Sequence, residues 1–149
     1  MAMHRVSATK VIPASAARVY DLLADYREGH PSILPKPEFI SLTVEQGGRG
    51  AGTVVSFQMK LMGRVQTFHS AITEPEPGRV LVETDMNTGA VTTFMIEPRE
   101  AGRQAQVTIT TDTQVRDGIV GKAQGWMTTR LLRPIYIKEL EQLAAAVSR

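Results

Sequence analysis

Two periods divide the chain. From Arg5 to Ile12, and again through most of its middle, apolar residues alternate with polar ones, the two-residue period of a half-buried strand. The middle consists of runs of roughly ten residues rich in Val, Thr, Ile and Phe, the signature of a meander of antiparallel strands. Gly- and Pro-rich breaks separate them at Gly47–Gly52, Met62–Arg64, Glu74–Gly78, Asn87–Gly89 and Pro98–Gly102. Near the N-terminus Val19, Leu22, Leu23 and Tyr26 fall at i, i+3, i+4 and i+7, one face of a short helix that Ser15 can cap. Pro13 ends the strand before it, because proline offers no ladder donor. A second short helix or turn is expected over Glu28–Leu34, stopped by Pro35 and Pro37.

The last period is helical, from about Gly118 to Val147. Ile119, Ala123, Trp126, Met127 and Pro134 form one stripe at 100° per residue, and Tyr136, Ile137, Leu140, Leu143, Ala144 and Val147 a second, displaced one. Pro134 lies between them, where a kink or break is expected. A helix that changes its buried face midway can cover a cavity with one half and core with the other.

Hairpin geometry predicts which strand residues share a face. A two-residue turn at Gly63-Arg64 pairs Met59 with Phe68 and Val55 with Ile72. A three-residue turn at Asn87-Thr88-Gly89 pairs Val82 with Phe94 and Val80 with Ile96, and Phe94 then faces Ile109 and Ile96 faces Val107. The expected inner wall is Val55, Phe57, Met59, Phe68, Ile72, Val82, Phe94, Val107 and Ile109, with Ser70, Thr84, Thr92 and Thr111 on the same face. Val65, Val91 and Met95 fall on the outer face, a mildly apolar patch.

Composition narrows the function classes. With 149 residues, 42% of them hydrophobic and 21% charged, the chain suits one globular domain, 1–149, with a real core. The 17 basic and 15 acidic residues nearly cancel, and no basic run appears, which argues against nucleic acid. The absence of cysteine excludes disulfides, thiol catalysis and Cys-based metal sites. No stretch approaches the roughly 18 apolar residues of a membrane span, and Met1–Arg5 leads into polar alternation rather than a signal core. A soluble, cytoplasmic protein without membrane insertion, monomer or homodimer, is expected.

The stretch Val11-Ile12-Pro13-Ala14-Ser15-Ala16-Ala17-Arg18-Val19-Tyr20-Asp21-Leu22-Leu23-Ala24-Asp25-Tyr26 resembles the opening of START-like proteins, within the polyketide cyclase/dehydrase and lipid-transport branch. Gly50–Val55 and Glu76–Val80 look like strand junctions of that group, and the order strand, two helices, six strands, long helix matches along the whole chain. The resemblance implies an α+β helix-grip fold: a curved antiparallel sheet of about seven strands around a long C-terminal helix, enclosing an apolar cavity. It implies no reaction, because the superfamily includes carriers, sensors and enzymes.

Arg130 carries the most information among the candidate polar groups. It lies within the first helical stripe, so it must be paired, escape to water along its stem, or meet a ligand. The hypothesis is that it fixes the polar end of an otherwise apolar ligand. Trp126, Met127, Phe57, Met59, Phe68, Val82, Thr84, Phe94 and Ile109 are the expected remainder of the site. His69 is expected on the outer face without catalytic duty, beside Gln58, and His30 in a helix-to-loop segment. No histidine spacing matches a metal site, and Gly47–Gly52 runs strand to strand without the lysine of a phosphate loop, so no metal or cofactor is expected. The leading function is binding or transport of a small hydrophobic, lipid-like or polyketide-like molecule. A cyclase or dehydratase is the first rival, though the inner face offers no obvious base and Tyr20, Tyr26 and Tyr136 are placed too loosely to assign. A protein interaction module is the second. A perturbed His or carboxylate in the cavity would favour the enzyme.

Overall fold

The structure is a computed structural model, and it describes residues 1–148. Seven strands form one antiparallel sheet: β1 (Ala2–Ile12), β2 (Phe39–Gln46), β3 (Val54–Leu61), β4 (Arg64–Glu76), β5 (Val80–Asp85), β6 (Val91–Arg99) and β7 (Gln104–Val115). Their order is β1-β7-β6-β5-β4-β3-β2, so the first and second strands in the chain are the two edges. The helix α1 (Ala16–Ala24) and a single 3-10 turn, His30–Ile33, connect those edges. The long helix α2 (Gly118–Val147) follows β7 and lies on the concave face. This is the helix-grip arrangement.

Local chemistry explains the junctions. Ser15 adopts an extended backbone, and its Oγ accepts from the Arg18 amide at 3.2 Å, capping α1. After α1 the Asp25 carboxylate accepts from the amides of Arg27, Glu28 and Gly29 at 3.1, 3.3 and 3.3 Å. That tight turn returns the chain beneath the sheet, so Tyr26, His30 and Ile33 are all buried. The main core lies between the sheet and the C-terminal part of α2. Ile12, Leu23, Leu81, Ile96, Val107, Ile109, Leu140 and Leu143 are almost wholly excluded from water there. Burying such side chains stabilises a fold by about 1.5–3 kcal/mol each.

Two hairpins differ from expectation, with unequal consequences. The β3–β4 turn is Met62-Gly63, both with positive φ (53° and 78°), the backbone of a primed turn. Leu61 therefore faces Arg64, Met59 faces Gln66 and Phe57 faces Phe68. The slip is two residues, so every side chain keeps its predicted face. The β5–β6 loop has one residue more than expected. The Asp85 carboxylate accepts from the Thr88 amide at 2.8 Å and its hydroxyl at 2.6 Å, and the Asp85 amide donates to the Ala90 carbonyl. This builds a four-residue loop, and Leu81, not Val82, faces Phe94. An odd slip reverses the strand. Val82 and Thr84 point to the convex side, while Leu81, Glu83 and Asp85 point inward. The β6–β7 pairing, Phe94 with Ile109 and Ile96 with Val107, is the predicted one.

The helix α2 is also turned from its expected orientation over its first half. It runs unbroken through Pro134. The second stripe is buried at Tyr136, Leu140, Leu143 and Val147. In the first stripe, Ile119 is 86% exposed, Trp126 61% and Met127 50%. The face turned inward there carries Gly121 and Gly125. A Cβ on Gly121 would lie 1.4 Å from the Arg116 carbonyl oxygen, and one on Gly125 would lie 2.5 Å from the His4 ring. Close backbone approach, rather than large side chains, seats this half, and His4 fixes it through a 2.7 Å hydrogen bond to Thr129.

Candidate functional site

Between α2 and the concave face lies a cleft of about 520 Å³, open to solvent. Leu61, Phe68, Met127, Leu131 and the β5–β6 loop surround its outer part. It adjoins a deeper pocket of about 70 Å³, and Phe57, Met59, Glu83, Thr92, Leu132 and Tyr136 line both. The walls are mainly apolar; Ser, Thr and Gln side chains are scattered along the outer cleft, and His30, Glu83 and Glu139 meet at the deep end.

Those polar groups come from separate elements. The Asp25 turn places His30 against the Tyr26 ring, stacked at 4.5 Å between centroids, with Phe94 edge-on at 5.3 Å. The His30 Nδ1 lies 2.8 Å from the Leu23 carbonyl oxygen. A carbonyl only accepts, so Nδ1 carries a proton and Nε2 is the nitrogen turned to Glu83, 3.5 Å from Oε2. The Tyr26 hydroxyl donates to the same Oε2 at 2.7 Å. Glu139 reaches the pocket from α2. It is only 3% exposed and makes no hydrogen bond or ion pair among the described residues. Burial, and secondly the nearby Glu83, push its carboxyl well above the usual carboxylate range. Burial also raises the Tyr26 and Tyr136 hydroxyls. Tyr136 shares a hydroxyl chain with Thr111 at 2.6 Å, which continues to Thr92 at 2.8 Å. A carboxyl held above its usual range beside a second carboxyl group and an imidazole is an arrangement able to donate, accept or move a proton.

The expected site residues divide sharply. Phe57, Met59 and Phe94 line the deep pocket, Phe57, Met59 and Phe68 the open cleft, and Met127 its rim. Ile109 is buried in the core and lines neither pocket. Val82 and Thr84 are on the convex side for the register reason given above. Trp126 projects into solvent, and Arg130 is exposed with its guanidinium stacked 5.3 Å above the Trp126 ring. Arg130 thus extends toward water and lines neither pocket. His69 lies on the outer face, opposite Ser56 rather than Gln58, 3.1 Å from Glu45.

The inner face does carry acid–base groups, contrary to expectation. Glu83 was hidden by the one-residue slip. Glu139 was readable, since Tyr136, Glu139, Leu140 and Leu143 fall at i, i+3, i+4 and i+7, an acid inside an apolar stripe. No local spacing marks His30, whose burial depends on the Asp25 turn. Among the described residues no three His, Asp or Glu side chains converge in a way that could hold a metal ion.

Comparison with known proteins adds the family. The solved KanY protein superposes with a TM-score of 0.81 at 24% identity, covering 100% of both chains. The Zhui aromatase/cyclase from Streptomyces sp. R1128 gives 0.76 at 18% identity, over 99% of this chain and 95% of that one. A START superfamily protein from Mycobacterium smegmatis gives 0.74 at 18%, over 97% of each. At these identities the likeness speaks for the fold. No curated protein matches the sequence. The family model described as polyketide cyclase/dehydrase and lipid transport matches residues 3–148, and the chain belongs to that family.

Proposed function

We propose that the protein binds a small, mainly apolar molecule in the cleft between the sheet and α2. One observation carries this reading: a cleft of about 520 Å³ whose apolar walls lead to a few converging polar groups. Such a volume and lining are usual for small-molecule sites. The family's description points the same way. Native mass spectrometry of the freshly purified protein, with extraction of anything bound, tests it together with titration by the neutral dye Nile red. A discrete added mass or saturable dye binding is expected, and Leu131→Trp, which fills the outer cleft, should abolish dye binding. A bare mass with no saturable dye binding would remove the reading.

One observation favours a second reading, an enzyme of cyclase or dehydratase type on a polyketide-like substrate. Glu139 is a buried carboxyl held above its usual range in the pocket beside Glu83. An acid that donates to a ketone oxygen while a neighbouring group takes a proton from the adjacent carbon is the chemistry such an enzyme needs. Accelerated deuterium exchange at the α-carbon of a bound ketone, lost in Glu139→Gln, is the result this reading requires.

A further inference from the structure

The pocket residues carry a charge pattern unlike the chain as a whole. The protein has a formal net charge of +2. The residues lining the two pockets include three acids, Glu83, Asp85 and Glu139, with one histidine and no lysine or arginine. Asp85 is occupied by its own loop and by β4, accepting from the Thr88 amide and hydroxyl and from the His69 amide. The other two acids remain available. Both contacts to Glu83, from Tyr26 and His30, fall on Oε2 and leave Oε1 without a partner among the described residues. Glu139, 3% exposed, has no partner on either oxygen.

The unpartnered oxygens of Glu83 and Glu139 are on the pocket lining, where a ligand can reach them. These oxygens lack donors, and an ammonium group offers three on one compact cation. A carboxylate placed in the same position would bring a third acid beside Glu83 and Glu139, with no fixed cation to offset it. Repulsion of that kind discriminates between ligands as strongly as attraction does.

We propose that the cleft selects an apolar amine whose ammonium seats between Glu83 and Glu139 at the deep end, and that it rejects the matching carboxylate. The inference rests on the ligand-binding reading above and names the ligand's chemical class. The groups facing Glu139 are Glu83 from β5, His30 from the 3-10 turn, Tyr26 from the turn after α1, and Tyr136 from α2 itself. None but His30 can supply a positive charge. Arrival of the ammonium therefore ionises Glu139, and its proton leaves to solvent.

Octylamine, octanol and octanoate differ only in the head group, and isothermal titration at neutral pH compares them on the intact protein. Octylamine is expected to bind about tenfold or more tighter than octanol, with octanoate weakest. The binding heat of octylamine should vary with the ionisation heat of the buffer, reporting proton release. Glu139→Gln keeps the shape of the neutral acid, so it should fold, lose the amine preference and lose the buffer dependence. Glu83→Gln provides a second variant and should also weaken octylamine by about tenfold. Octanol or octanoate binding as tightly as octylamine would overturn the proposal and leave the ligand-binding reading standing. If none of the three competes with Nile red, while the dye itself binds, the amine proposal falls alone; if the dye also fails, both fall.

Discussion

The two halves of α2 bury opposite kinds of residue. From Ile135 onward the helix seats Tyr136, Leu140, Leu143 and Val147 against sheet and α1, and its outward face is largely polar. Before Pro134 the fully buried positions are Gly121 and Gly125, Leu131 and Leu132 are half-buried along the cleft, and Ile119, Val120 and Trp126 face water. The first half covers an open cleft and contacts β1 through glycine, so little apolar volume can be buried beneath it. The second half meets a filled core. An apolar stripe marks the buried face of a helix only where the neighbouring surface has room for large side chains.

Substitutions should reproduce that difference. Leu140→Ala is expected to cost about 2–5 kcal/mol in urea unfolding, the range for a large aliphatic removed from a packed core. A cost near zero would mean that the second half is not the anchored one. Gly121→Ala should cost about 1–3 kcal/mol, because the obstruction is the Arg116 backbone. Gly125→Ala should cost less, since it meets the movable His4 ring.

Among the described residues Glu139 is the one charged-type side chain on the buried face of the second half, and it should make stability depend on pH. Its folded pKa is raised above the unfolded value near 4.5, so the folded state binds the extra proton. The associated stability is complete below that value and is lost as pH rises through the folded pKa. Thermal unfolding followed upward from mildly acidic pH should show a decline in the wild type that Glu139→Gln flattens. Parallel profiles would place the carboxyl in water.

The smallest effects belong to the exposed first half. Trp126→Ala should change stability by no more than about 0.5 kcal/mol, as surface substitutions do. Arg130→Ala should leave Nile red affinity unchanged, and a clear loss would return Arg130 to the site.

The fold was legible because its signals are redundant. Strand alternation, the Ser15 cap, the Gly and Pro breaks and the long helical period each point to the same arrangement, and the two-residue slip at Met62-Gly63 changed no face. The site was much less legible because single events decide it. One extra loop residue exchanged Val82 and Thr84 for Glu83. The rotation of the first half of α2 removed Trp126 and Arg130. The wall residues Phe57, Met59, Phe68 and Phe94 lie on strands whose parity was correctly read, and they do line the pockets. His30 depends on three amides gathered by Asp25, a contact with no periodic trace in the sequence.

The loop closed by Asp85 and Thr88 has an evolutionary corollary. Shortening it by one residue, with the hairpin keeping a four-residue turn, would draw Asp85 into the turn and bring Val82 opposite Thr92, provided β5 also shifted against β4. Glu83 would then move to the convex side, and Val82 and Thr84 would take the inner positions. Descendants differing by a single-codon deletion there, with every pocket-lining residue otherwise retained, would pass from an acidic pocket toward an almost neutral one. Within such a lineage, indels in this hairpin would record changes of ligand preference that an alignment of conserved pocket residues would miss.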